Sequence, residues 1–180
     1  MIDTHGAATA MCVPIHDRLL ILGLGNDILT DDAIGLFVAR AVRQRLADEP
    51  GIDVRESMEM GLTLLDEVVG YPALILIDSI QTGRAPPGHI HRCSLDEFRG
   101  FGATTPHFLG LADTFALARV LGLGVPEAVR VFAIEAEDVL TLGTELTPAV
   151  ADAVPSAVDL VVEHARRLRS GLSQPAAVVH

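Results

Sequence analysis

Two aspartates and one histidine, far apart in the sequence, could together bind a divalent metal ion. Asp32 lies in the stretch after the first apolar run, Asp78 directly follows the apolar run at 73–77, and His107 follows Thr-Thr-Pro. Two carboxylates and one imidazole suit a divalent transition metal with open coordination positions. The sequence therefore contains a possible metal site, provided that the fold brings the three residues together.

Each of these residues also has a structural explanation. Asp31 and Asp32 fall in or before the first turn of a predicted helix, where acids are favoured as caps and by the helix dipole. For Asp31 we expect that role. Asp78 could cap a turn with Ser79, and on position alone the cap and the site fit it equally well. A histidine at a helix start is common, so His107 is selected only by its chemistry.

The glycines after the first apolar run could instead belong to a dinucleotide-binding fingerprint, G-x-G-x-x-G. Gly23 and Gly25 fit it, but the third glycine is replaced by Ile28. Asp31 and Asp32 would also place negative charge where a pyrophosphate must bind. We regard this interpretation as clearly the poorer one.

The cysteines and the other histidines give weaker signals. Cys12 and Cys93 cannot form a disulfide framework, and neither lies beside a helix start that would activate it, so both are predicted to be inert thiols. His89 and His91 alternate on a short predicted strand and therefore face one side. They could form a metal pair, but we expect an exposed edge-strand face.

Apolar runs that alternate with helical patterns predict the elements that position the candidate residues. The predicted strands are Arg18–Leu24, Ile52–Arg55, Ala73–Ile77, His89–Ser94 and Val129–Ile134. The predicted helices are Asp32–Leu46, Gly61–Val69, Phe108–Leu121 and one from Thr147-Pro148 to Arg169, which Pro155 should kink or restart.

These elements predict an α/β fold: a three-layer α/β/α sandwich with a mostly parallel, five-stranded twisted sheet. We expect one domain over residues 17–170, with flexible tails at 1–16 and 171–180. If the second strand lies outside the first and the third lies on its other side, the strand order reverses between strands 1 and 3. Ligands of such sheets bind at the carboxyl ends of the strands at that reversal, which is where Asp32 and Asp78 should meet.

Composition excludes some classes of function. The 180 residues have a net charge of −11, which disfavours binding to nucleic acids and anionic lipids. No apolar run approaches the length of a membrane span, and the first residues lack the pattern of a secretory signal. We therefore expect a cytoplasmic protein with no nucleic-acid or membrane partner.

Four stretches together resemble the nickel-iron hydrogenase maturation endopeptidases. They are ILGLGNDILTDDAIGLFVARAV at 21–42, LILIDSI at 74–80, TPHFLGLADTFALA at 105–118 and GTELTPAV at 143–150. The resemblance implies a protease that removes a C-terminal extension from the large-subunit precursor of a nickel-iron hydrogenase after nickel insertion. It implies Asp32, Asp78 and His107 as the catalytic, metal-contacting residues. The nickel would be carried by the substrate, and we expect the free enzyme to hold no metal or an adventitious ion.

Two departures and two competing functions accompany this resemblance. Relatives often have Glu where Asp32 stands, and a glycine-rich GGTxG segment where this chain has Ser57-Met58-Glu59-Met60-Gly61. A metal-sensing chaperone without peptidase chemistry is the alternative function, and a dinucleotide-dependent oxidoreductase is a weaker one. The strand edge at 89–94 and the loop at 81–88 could dock an extended substrate tail.

Overall fold

A five-stranded sheet forms the middle layer of the protein. The computed structural model describes residues 13–59, 61–99 and 111–172. The strands are β1 Leu19–Leu24, β2 Ile52–Ser57, β3 Ala73–Ile80, β4 Ile90–Cys93 and β5 Ala128–Glu135. Their order is β2-β1-β3-β5-β4, with β4 antiparallel to β5 and the other pairs parallel. The strand order therefore reverses between β1 and β3, as predicted.

Helices cover both faces of this sheet. They are α1 Ile34–Arg45, α2 Leu65–Val68, α3 Leu95–Arg99, α4 Leu111–Val120 and α5 Pro148–Leu172. Apolar side chains of α1 and α5 form one core with one sheet face, and those of α2 and α4 form a second core with the other face. Since both faces are covered, every residue of β1 and β3 is buried. The three-layer α/β/α fold is confirmed.

Two elements run further than their sequence patterns predict. β3 continues through Asp78 to Ile80, so Asp78 lies inside the strand rather than after it. The reason is the pairing with β5, which continues to Ile80↔Glu135, whereas the pairing with β1 ends at Gly23↔Ile77. α5 is continuous across Pro155, so the predicted restart of that helix is wrong.

The predicted tails fall mostly outside the described residues. Ile15–Asp17 forms a single 3₁₀ turn, and α5 continues to Leu172. The single-domain assignment over 17–170 stays a prediction.

Candidate active site

Asp32 and Asp78 meet at Ser79, at the reversal of the strand order. The Ser79 hydroxyl donates to Asp32 Oδ1 at 2.9 Å, and the Ser79 amide donates to Asp78 Oδ1 at 2.7 Å. The two aspartates are 46 positions apart in the chain but share this one serine. Asp32 and Asp78 thus both contact Ser79 at this edge, and their joint role as site residues stays a prediction. The contact that we considered as a cap for Asp78 exists too, because the Ser79 amide is a local partner of this carboxylate.

Both carboxylates are shielded from bulk water. Asp32 is 4% exposed and Asp78 is fully buried. Each has further interactions besides those with Ser79. In such surroundings a cation and a carboxylate attract each other more strongly than in water. The pair therefore fits a divalent cation held by oxygen ligands.

The third predicted ligand, His107, lies outside the described residues. Within 13–59, 61–99 and 111–172, no three His, Cys, Asp or Glu side chains are grouped closely enough to hold a metal ion. The set Asp32, Asp78 and His107 therefore stays a prediction, of which the structure describes two members.

Close contact between β1, β3 and the start of α1 brings Asp32 to this place. A Cβ atom on Gly35 would lie 2.1 Å from the Leu24 carbonyl oxygen and 2.4 Å from that of Ile77. A Cβ atom on Gly25 would lie 2.1 Å from the Asp32 carbonyl oxygen. Only glycine allows such approach of backbone to backbone. Gly25 therefore makes room for the protein's own chain, which argues against the dinucleotide fingerprint.

Asp31 has a structural role, but not the predicted one of a helix cap. It is fully buried and accepts bonds from the amides of Glu137, Asp138 and Thr147 at 3.0, 3.0 and 2.7 Å. The Thr147 hydroxyl donates to it at 2.9 Å. No side-chain bond caps the start of α1. Asp31 instead ties the loop after β1 to the segment that connects β5 with α5.

Glu135, which was not predicted from the sequence, also anchors a loop, namely the loop after β3. This buried residue ends β5 and accepts bonds from the Thr82 amide and hydroxyl and the Gly83 amide. His91 Nε2 lies 3.0 Å from Glu135 Oε2. Burial raises the pKa of Glu135, but the bonds from His91, Thr82 and Gly83 outweigh it and hold that pKa below its ordinary value. An acid at the carboxyl end of a predicted central strand was the available signal.

Of the two histidines expected to form an exposed face, His89 is exposed but His91 is not. The His91 side chain is only 12% exposed because it contacts Glu135, and the His89 ring packs edge-on against it with centroids 4.7 Å apart. Cys93 is buried, and burial raises its thiol pKa to about 11, which confirms the expectation of an inert group for that cysteine. Cys12 lies outside the described residues.

The loop after β2 contains an exposed methionine. Met58 is 58% exposed, so it does not pack beneath a helix, and Met60 lies outside the described residues. β4 forms one edge of the sheet, as the tail-docking hypothesis requires. Docking of a tail there stays a prediction.

Comparison with known proteins assigns the family. A model of the hydrogenase maturation protease family matches residues 37–164. The chain belongs to this family. It is 29% identical to the hydrogenase 2 maturation protease of Escherichia coli (strain K12), with 81% of this chain and 88% of that protein covered.

Solved structures of the family agree in fold. The hydrogenase maturating endopeptidase HybD from E. coli matches with a TM-score of 0.70 at 29% identity, over 84% of this chain and 93% of that one. The [NiFe] hydrogenase maturation protease HybD from Thermococcus kodakarensis matches with a TM-score of 0.64 at 25% identity, over 82% and 99%. This maturation protease is thus a peptidase with the α/β/α fold of its relatives. None of its described helices is long and apolar enough to cross a bilayer.

Proposed function

We propose that this maturation protease removes the C-terminal extension of a nickel-iron hydrogenase large-subunit precursor, and that nickel bound to the precursor is the signal for cleavage. Asp32, Asp78 and His107 would contact that nickel. The metal is part of the substrate, so the free enzyme needs none of its own. We place the reaction in the cytoplasm, as expected from the sequence.

The observation that carries this proposal is the meeting of Asp32 and Asp78 at Ser79. Two shielded carboxylates at the carboxyl edge of β1 and β3 form an oxygen-rich, negatively charged place for a divalent cation. Membership of the maturation protease family supplies the reaction class.

Peptide hydrolysis at this place needs a proton acceptor and a positive charge. Water attacks the scissile carbonyl carbon, the C–N bond breaks, and the proton of the water ends on the new amine. One of the two carboxylates would take that proton first and pass it to the leaving nitrogen. Nickel carried by the precursor would supply the positive charge that polarises the carbonyl or lowers the pKa of the water.

The test uses the precursor encoded in the source genome, prepared with and without nickel. We expect the protein to shorten only the nickel-loaded form, which mass spectrometry of the large subunit detects. Asp32→Asn, Asp78→Asn and His107→Ala should each abolish shortening. Asp48→Asn, which changes an exposed acid beyond the end of α1, is the matched control and should leave it intact.

Two outcomes would contradict the proposal. Complex formation with nickel-loaded precursor and complete retention of its extension would favour the metal-sensing chaperone. A tightly bound, stoichiometric metal that survives chelation of a fully active free enzyme would contradict the arrival of the metal with the substrate.

A further inference from the structure

Three large apolar side chains are exposed on two hydrogen-bonded loop segments next to the candidate active site. They are Ile28, Leu140 and Leu142, which are 57%, 84% and 75% exposed, and we refer to them as the apolar ridge. Isolated exposed leucines are common on proteins, whereas a group of them on one surface marks an interaction site.

Backbone bonds hold the ridge in a fixed shape. Leu29 and Leu142 form an antiparallel bridge, and the Gly143 amide donates to the Ile28 carbonyl at 3.1 Å. The Thr30 amide donates to the Thr141 carbonyl, also at 3.1 Å. The loop tip is therefore ordered before any partner binds, which lowers the entropy cost of docking.

The ridge is connected directly to the candidate site. Asp31, the neighbour of Asp32, accepts the bonds that fix the segment carrying Leu140 and Leu142. A polypeptide that reaches Asp32 from this side of the sheet edge must therefore pass the ridge. This argument rests on the proposed function, because it takes the precursor as the molecule that enters the site.

An open groove is lined in part by the residues that follow the ridge in the chain, starting at Thr144. It has a volume of about 540 Å³ and is lined by side chains of α1, α5 and the loop that leads into α5. Its apolar lining includes Phe37, Leu146 and Val154. The adjoining surface could thus receive a protruding apolar group of a partner.

The charges around the ridge have one sign. Residues 26–33 and 136–147 contain acids but no lysine, arginine or histidine. Of these acids, Asp27, Glu137 and Glu145 are exposed. Arg40 lies over the Phe37 ring, 5.7 Å from its centroid, but is paired with Glu56 at 2.6 Å. A complementary partner surface would be aliphatic at its centre and basic at its border.

We propose that the apolar ridge and its groove dock the folded body of the large-subunit precursor, through an aliphatic patch bordered by Lys and Arg. The ridge is thus a recognition surface separate from the carboxylates, and it sets affinity rather than the rate of the chemical step.

The test compares two double variants of equal design. The ridge variant, Leu140→Asp with Leu142→Asp, places charge on the ridge. The control variant, Val120→Asp with Leu121→Asp, places the same charge at the end of α4, where Val120 is 84% exposed and Leu121 is 64% exposed. Binding to the nickel-loaded precursor of the source organism is measured by surface plasmon resonance. We expect the ridge variant to bind about tenfold more weakly or worse, and the α4 variant to bind like the wild type.

Kinetics separate docking from chemistry. The ridge variant should raise KM for precursor shortening while kcat at saturation stays unchanged. Glu137→Gln with Glu145→Gln should slow association at low salt, and this difference should vanish at about 0.5 M salt. Circular dichroism and the denaturation midpoint show that the variants fold.

Unchanged Kd and KM in the ridge variant would overturn the docking surface while leaving the proposed function standing. A wild type that binds the loaded precursor through the ridge but never shortens it would overturn the proposed function alone. Self-association that the ridge substitutions abolish, with no change in precursor binding, would assign the ridge to a second copy of this chain and overturn the proposal.

Discussion

Buried carboxylates at the sheet edge divide into two kinds by what surrounds their oxygens. Asp31 and Glu135 each accept bonds from donors of two or more residues in neighbouring loops, and those donors hold the loops in place. Asp32 and Asp78 share one serine at the strand reversal. The first kind holds the surrounding loops together, and the second kind is the pair that we propose for chemistry.

Replacing Asp31 by alanine should cost more than the loss of a helix cap, which is worth about 0.5–2 kcal/mol. The change would leave three backbone amides and one hydroxyl without their acceptor. We expect a loss of about 3 kcal/mol in the free energy of unfolding, measured by urea denaturation.

A neighbouring acid provides the control for that measurement. Asp27 lies in the same loop but is exposed, so Asp27→Ala should change the free energy of unfolding by less than about 0.5 kcal/mol. Equal losses in the two variants would contradict the anchoring role of Asp31.

At the scale of single residues, the sequence predicts the positions of the proposed site acids better than the roles of the structural ones. Asp32 and Asp78 follow from their positions relative to two apolar runs and a known rule for parallel sheets. The role of Asp31 depends on donors more than 100 positions away in the chain, and that of Glu135 on donors more than 40 positions away. No local pattern contains those contacts, so the sequence predicts a helix cap at Asp31 and marks Glu135 only by its position after a predicted strand.

Among the elements, the crossing of α1 over the ends of β1 and β3 fixes the site. Hydrophobic periodicity predicts α1, and short continuous apolar runs predict the buried strands β1 and β3. The same pattern ends β3 at Ile77, whereas the strand continues to Ile80. Pairing with β5 extends it, and pairing between distant segments is invisible to a local period.

Gly35→Ala should disturb this crossing. The added methyl group would meet two backbone oxygens at 2.1 and 2.4 Å, and neither can move without shifting β1 or β3. We expect a loss of about 1–3 kcal/mol or more in the free energy of unfolding, with reduced precursor shortening because Asp32 moves with the start of α1.

Gly171→Ala is the matched control within a helix. Nothing lies within 4 Å of a Cβ atom at that position of α5, so alanine should be tolerated or stabilise the protein by up to about 1 kcal/mol. A Gly35→Ala variant as stable and active as the control would show that the crossing tolerates wider spacing.

Across the whole molecule, two opposing effects of pH act on stability. The net charge of −11 at pH 7 makes the folded chain repel itself, and this repulsion shrinks as the pH falls toward the isoelectric point of about 4.9. Burial raises the pKa of Glu135 and of Asp53 in β2, but both have a lowered pKa because their bonding partners outweigh burial. For Asp53 these partners are Arg18 and Tyr71, which donate to its carboxylate. Each carboxylate therefore stabilises the fold above its unfolded pKa and loses that contribution as the pH falls through its folded pKa.

These effects predict that the free energy of unfolding is greatest at about pH 5–6 and falls on the acid side.

Glu135→Gln tests the acid branch, meaning the loss of stability below that maximum, because it removes the charge that accepts bonds from Thr82, Gly83 and His91. At pH 7 the variant should be about 1–3 kcal/mol less stable than the wild type. The difference should hold down to about pH 4.5, the ordinary pKa of a glutamate, and shrink below it as the native carboxylate becomes protonated. Denaturant titrations at stepped pH measure it, with the exposed Glu59→Gln as the control. A difference that persists unchanged at pH 3 would mean that the lost contacts do not depend on the ionised carboxylate, and that the acid branch arises elsewhere in the molecule.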